Sequence, residues 1–212
     1  MTQEITGFKA VGSDDKYPDP HQYLEDGVQL PVSYEVRGVS HDYLTQIKEQ
    51  QGLHSCLPTS VLNGLIHLGL INFQQANAFQ STFNTENADM FTTRQFGQDQ
   101  LTVMAVSTSV LLDRLKQNQH GPTGLEFNSM VIGTQGLSVD ELIMLIKQEV
   151  SKDKVVVADY DKHALLIIGY DDQLGAFKVI DPYFPHRQGT RNTESFANYI
   201  LTGEPWITAL SK

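Results

Sequence analysis

The clearest helical period in the chain begins at residue 56. Leu57, Val61, Leu65 and Leu68 fall on one stripe, with Leu62 and Ile66 beside it. Apolar positions nearly all round predict a helix buried on most sides. Pro58 suits the first turn, where its missing N–H is not needed, and Gly69 suits the end. Cys56 therefore sits at or just before the N-terminus of a buried helix. A second helix is predicted after Ser138. Ser138-Val-Asp-Glu141 has capping-box spacing, and Leu142, Ile143, Leu145, Ile146 and Val150 repeat at helical intervals behind it. Between these, helices are expected near residues 73–81 and 107–117, joined by Gly/Asn/Thr-rich loops, and Gln95–Gln100 shows no clear period.

The pattern then becomes β. Lys154–Asp159 is a short apolar strand and His163–Tyr170 a longer one. Asp171-Asp-Gln-Leu-Gly175 is a turn and Ala176–Ile180 the returning strand, ended by Asp181-Pro182. Two apolar runs joined by an Asp/Gly turn read as an antiparallel hairpin. Trp206–Leu210 is expected to add a last strand. Helices followed by strands argue an α+β fold rather than alternating βαβ units. Residues 12–42 look irregular. Gly12–Pro20 is loop chemistry, and Val28–Val36 holds one expected short strand. Residues 1–45 are read as an N-terminal extension or pro-segment packed on the domain by Tyr17, Tyr23, Leu24, Leu30, Val32 and Tyr34. Residues 46–212 form the main domain, with a helical and loop insert at 72–136.

Composition narrows the chemistry. The chain has 212 residues, enough for a real core. Its 15 Lys and Arg face 25 Asp and Glu, a net charge of −10 with no basic run. Such a chain is a poor partner for a nucleic-acid backbone or an anionic membrane. No stretch approaches the roughly 18 apolar residues of a membrane span. The first residues lack the basic and apolar regions of a signal peptide. This fits cytoplasmic action, or export or injection without a classical signal. The single cysteine excludes an internal disulfide and any zinc site built on several cysteines. No HExxH, Walker A, GxGxxG or GxSxG sequence is present, so neither a metal nor a nucleotide cofactor is expected.

The lone cysteine is either inert packing or chemistry. A nucleophilic thiolate is favoured by the unpaired N–H groups of a helix N-terminus and by a nearby imidazolium. Cys56 has the first. His163 opens one hairpin strand and Asp181 closes its partner, so antiparallel pairing makes them neighbours. A carboxylate there can fix the imidazole tautomer and orientation. Gln50 and Gln51, just upstream of Cys56, offer a side-chain amide that could join the Cys56 N–H in binding an oxyanion. The other histidines lack such a pattern. His54 is read as a loop residue and His67 as a core histidine, while His21, His41, His120 and His186 lie in turn-like sequence. Asp159, Asp161, Asp171 and Asp172 are read as a solvated rim rather than as a site for a basic substrate residue.

Taken together, Gln50-x5-Cys56-Leu-Pro-Thr-Ser, the buried helix, His163-Ala-Leu-Leu-Ile-Ile-Gly-Tyr-Asp171 and Val179-Ile-Asp181-Pro resemble a papain-like cysteine peptidase. The nearest likeness is to the bacterial branch similar to the leader-peptide peptidases of bacteriocin exporters. The resemblance covers roughly residues 48–70 and 138–183. It implies an α+β fold with a helical lobe carrying Cys56 and a sheet lobe carrying His163 and Asp181. It implies that Cys56 is the nucleophile, His163 the general base and acid, Asp181 the orienting residue and Gln50 the oxyanion donor, with Gln51 as the alternative. Leu57 stands where that branch has glycine, which narrows the space beside the thiol. The expected activity is hydrolysis of a peptide or protein amide through a thioacyl intermediate. With a different acceptor the same triad gives a glutamine deamidase or a transglutaminase-type acyltransferase, and such a protein could serve as a bacterial toxin or effector. A non-enzymatic binding module with an idle triad is the remaining alternative. Substrate and oligomeric state stay open.

Overall fold

The structure is a computed structural model that describes residues 18–46, 55–86, 91–96, 99–104, 108–117, 126–160, 163–184, 188–202 and 206–212. In chain order, a 3-10 turn at Pro20–Tyr23 and strand β1 (Ser33–Glu35) precede helices α1 (Cys56–His67) and α2 (Phe73–Glu86). The hairpin β2 (Phe91–Phe96) and β3 (Asp99–Met104) follows, then α3 (Thr108–Gln117), β4 (Asn128–Gly133) and α4 (Val139–Ser151). The rest is β5 (Val155–Tyr160), β6 (His163–Asp171), β7 (Ala176–Ile180), β8 (Gln188–Asn192), α5 (Thr193–Thr202) and β9 (Trp206–Ser211).

The architecture is α+β. Strands β4, β9, β5, β6, β7 and β8 lie side by side in that order, all antiparallel, and β1 also pairs with β6. The β6–β7 hairpin forms where the Asp/Gly turn predicts it, with Gly175 at φ 56 supplying the left-handed turn residue. Halfway along β6 the register slips between Ile167 and Gly169. Beyond the slip β1 replaces β5 as the neighbour, and Gly169 is needed there, since a Cβ would meet the Tyr34 carbonyl at 2.6 Å.

Residues Val155–Ala158 are fully or almost fully buried, so the sheet is covered on both faces. Helix α1 lies on one face. A Cβ on Gly64 would touch Leu210, Leu166 and Val155, so the helix backbone rests directly on the sheet there. Strand alternation then puts Val155, Val157 and Asp159 of β5, and Ala164 and Leu166 of β6, on this α1 face. Helices α4 and α5 pack on each other and on the opposite face, where Phe177 meets Phe196 edge-on at 6.2 Å. The capping box of α4 is complete, with Ser138 Oγ accepting from the Glu141 N–H and Glu141 accepting from the Ser138 N–H.

Two features of residues 72–136 differ from the expected helices and loops. Phe91–Met104 forms the two-stranded β2–β3 hairpin. Asn128–Gly133 forms β4, a strand of the main sheet paired with β9. Its first half is polar because its outer positions are exposed or half-exposed, which hides the apolar alternation. Residues 18–46 lie against the domain. His67 holds them at one point, with Nε2 donating to the Val36 carbonyl at 2.8 Å and Nδ1 2.7 Å from Tyr43 Oη. Asn63 holds them at another through Leu44. Among the described residues, no helix is long and apolar enough to cross a membrane.

Candidate active site

Cys56 is the first residue of α1 and is buried. Ser55 caps the helix by backbone position alone, without a side-chain hydrogen bond, so the first-turn N–H groups are not capped by that hydroxyl. Backbone N–H groups of Ala164, Leu57 and Cys56 itself act on the sulfur and favour the thiolate. Burial acts the other way and is the larger effect, and the Asp159 carboxylate adds to it. The net result is a thiol pushed up to about 12. The helix N-terminus thus acts in the direction the sequence suggests, but burial outweighs it. One turn further along, Ser60 Oγ donates to the Ala164 carbonyl at 3.1 Å, which ties α1 to the start of β6.

His163 opens β6, and Asp181 follows the end of β7. The hairpin brings them together, with His163 Nε2 2.8 Å from Asp181 Oδ1. A carboxylate can only accept, so Nε2 carries the proton and Nδ1, which is buried, is the basic nitrogen. Asp181 is held from three further directions. The Tyr183 N–H donates to Oδ1 at 3.0 Å, Arg191 Nη2 donates to Oδ2 at 2.8 Å, and its own carbonyl accepts from the Phe184 N–H at 2.8 Å. Burial raises the Asp181 carboxyl, but the hydrogen bonds from His163 and Tyr183 and the charges of His163 and Arg191 together outweigh it, leaving it below its ordinary value. The Tyr183 ring lies 4.5 Å from the His163 ring, tilted by 38°. The N–H of Gln46 donates to the Pro182 carbonyl at 2.9 Å, so the end of the 18–46 segment abuts the Asp181 turn.

His163 and Asp181 thus meet at the end of the β6–β7 hairpin, and Ala164, next in sequence to His163, contacts the Cys56 thiol at the N-terminus of α1. Gln50, Gln51, His54, His120 and His186 lie outside the described residues. His21 bonds Asp19 at the surface, and His67 is a hydrogen-bonded core residue. Among the described residues, no group of His, Cys, Asp and Glu could hold a metal ion. Arg191 escapes sequence reading because β8, Gln-Gly-Thr-Arg-Asn, has no apolar period. The Tyr183 contact was open to inference, since an Asp two residues before an N–H is an Asx-turn pattern. Ser60 had no signal beyond its place one turn after Cys56.

The family model of the Peptidase_C39 like family matches residues 40–206. The chain belongs to this family. Two solved structures are also similar to it. A protein described as a C39-like peptidase from Bacillus anthracis shares 14% identity at a TM-score of 0.47, over 84% of this chain and 98% of its own. A fragment of prointerpain A from Prevotella intermedia shares 13% identity at 0.44, over 94% of this chain and 77% of its own. Comparison with curated proteins returns no match. The family places the chain among cysteine peptidase-like hydrolases, whose substrate is a peptide, and its α+β architecture is the papain-like one expected from the sequence.

Proposed function

We propose that the protein is a cysteine peptidase that cleaves a peptide or protein amide bond with Cys56, His163 and Asp181. The supporting observation is the 2.8 Å bond from His163 to Asp181 beside a strand residue, Ala164, that touches the Cys56 thiol. In this reading the Cys56 proton moves to His163 Nδ1 and the sulfur attacks the carbonyl carbon. The oxyanion forms near the Cys56 N–H, with Gln50 or Gln51 as the second donor. His163 then gives its proton to the leaving nitrogen as the C–N bond breaks. Water, deprotonated by His163 Nδ1, attacks the thioester, and the Cys56 sulfur leaves and regains its proton from the imidazolium. Asp181 keeps Nε2–H fixed and stabilises the imidazolium throughout.

One observation favours a second reading, a binding module with an idle triad. Burial pushes the thiol up to about 12, so a resting thiolate at neutral pH needs a compensating positive charge. Intact-mass labelling with iodoacetamide against pH separates the two. Labelling at Cys56 that persists well below about pH 8, and is lost in His163→Ala, supports the peptidase reading. Asp181→Ala should weaken it in the same range. A rate that rises only as an ordinary or buried thiol titrates, unchanged by His163→Ala, overturns that reading in favour of the binding module.

A further inference from the structure

We propose that Asp159 lines the acyl side of the cleft and selects substrates with a basic side chain, arginine or lysine, within two residues of the scissile bond. The inference rests on Cys56 being the nucleophile and adds the substrate class. Asp159 lies directly opposite Ala164 in the β5–β6 ladder, so the two side chains share a face. That face carries α1, because Val155, Leu166 and Leu210 on it meet the helix at Gly64. From Gly64 back to Cys56 is eight residues of helix, about 12 Å at about 1.5 Å each. From Val155 to Asp159 is four residues of strand, about 13 Å at about 3.3 Å each. The two paths start together and end together, at the thiol. Ser60, one turn along from Cys56, is bonded to the Ala164 carbonyl at 3.1 Å, which ties this end of the helix to the end of the ladder that carries Asp159.

The side of the cleft follows from strand order. Asp181 pulls the imidazole toward β7, and β5 lies on the other side of β6. The imidazole must face the leaving nitrogen, so the acyl half of the substrate runs toward β5 and Asp159. A half-buried carboxylate there attracts a cation and repels an acidic side chain more strongly than it would in open water. The same carboxylate opposes ionisation of Cys56. A substrate cation paired with Asp159 removes that opposition, so the substrate that fits also eases formation of the thiolate. The acidic balance of the chain, −10 overall, points the same way.

Peptidyl acyloxymethyl ketones test this. Members of one set would differ only in carrying Arg, Leu or Glu at the first or second residue on the acyl side. The readout is the rate of Cys56 alkylation by intact mass in the wild type, Asp159→Asn, Asp159→Lys and His163→Ala. We expect the Arg probe to react about tenfold faster than the Leu probe and faster still than the Glu probe, the effect of one half-buried ion pair. Asp159→Asn should erase the Arg advantage, and Asp159→Lys should pass it to Glu. Labelling that depends on His163 but runs equally fast with Arg and Leu, or an Arg preference that survives in Asp159→Asn, overturns the inference and leaves the peptidase reading standing. If Asp159→Asn does not fold, the wild-type Arg-to-Leu ratio alone decides. If no probe reacts in a His163-dependent way, it is the peptidase reading that falls, and this inference falls with it.

Discussion

Asn63 offers the sharpest test of how the 18–46 segment is fastened to α1. Its side chain sits in the middle of α1, fully buried, and pairs with both backbone groups of Leu44. Oδ1 accepts from the Leu44 N–H at 2.8 Å, and Nδ2 donates to the Leu44 carbonyl at 3.0 Å. The amide thus imitates one residue of a neighbouring strand. Leu44 is itself 2% exposed, so water cannot take over either bond. Asn63→Ala orphans one donor and one acceptor, and each costs about 1–3 kcal/mol. The expected loss is about 3–4 kcal/mol, a large part of the roughly 5–15 kcal/mol that a domain has. Asn63→Asp should cost more, because one oxygen still accepts from the N–H but the other now faces the Leu44 carbonyl, acceptor against acceptor, with a buried charge. Urea unfolding followed by far-UV circular dichroism, with the m-value checked for constancy, measures both variants. A loss below about 1 kcal/mol for Asn63→Ala would refute the argument, and so would an Asp variant more stable than the Ala variant.

Two further predictions concern pH. Burial lowers the His67 pKa below 6.5, with the Val36 carbonyl and Glu35 acting in the opposite sense. The folded state therefore holds His67 neutral, its contribution is complete above about pH 6.5, and it is lost as pH falls from there through the lowered value. Thermal melts from pH 7.5 to 5 should show a steeper fall for the wild type than for His67→Gln, and parallel curves would contradict this. Asp181 is held below its ordinary value, so its contribution is present above about pH 3.8 and disappears as pH drops through the lowered value. Arg191→Gln removes one cause of that lowering, so an acid titration followed by circular dichroism should show its unfolding midpoint at higher pH than that of the wild type. The Arg191 side chain is 36% exposed, which limits the neutral-pH cost to about 1 kcal/mol or less.

What the sequence makes legible is local. The β6–β7 hairpin is visible because both strands are apolar and the turn carries Asp and Gly at the needed places. The start of α4 is visible because a capping box is a four-residue signal. The buried character of α1 is visible because nearly every position is apolar or small. What is hidden is long-range or polar. Strand β8 lies at the sheet edge with alternate residues exposed, so it reads as loop. Strand β9 is apolar and expected, but its place between β4 and β5 depends on pairings that no local pattern encodes. The same division holds for the site. The His163–Asp181 meeting follows from a hairpin register, while the Arg191 contact comes from a strand without a hydrophobic pattern.

The burial of the thiol changes how the site is understood. Placing cysteine at a helix N-terminus suggests a thiolate ready in the resting protein. Here three N–H groups favour that state, yet burial and Asp159 leave the sulfur protonated unless something compensates. The proposed mechanism and substrate class supply two compensating charges. One is an imidazolium on His163, which Asp181 is oriented to stabilise. The other is a cation brought by the substrate to Asp159. If both are needed, the resting thiol is shielded from oxidation and alkylation, and reactivity rises only when the cleft holds the right peptide. The Asp159 carboxylate would then lower the background reactivity of Cys56 and raise its selectivity through the same charge.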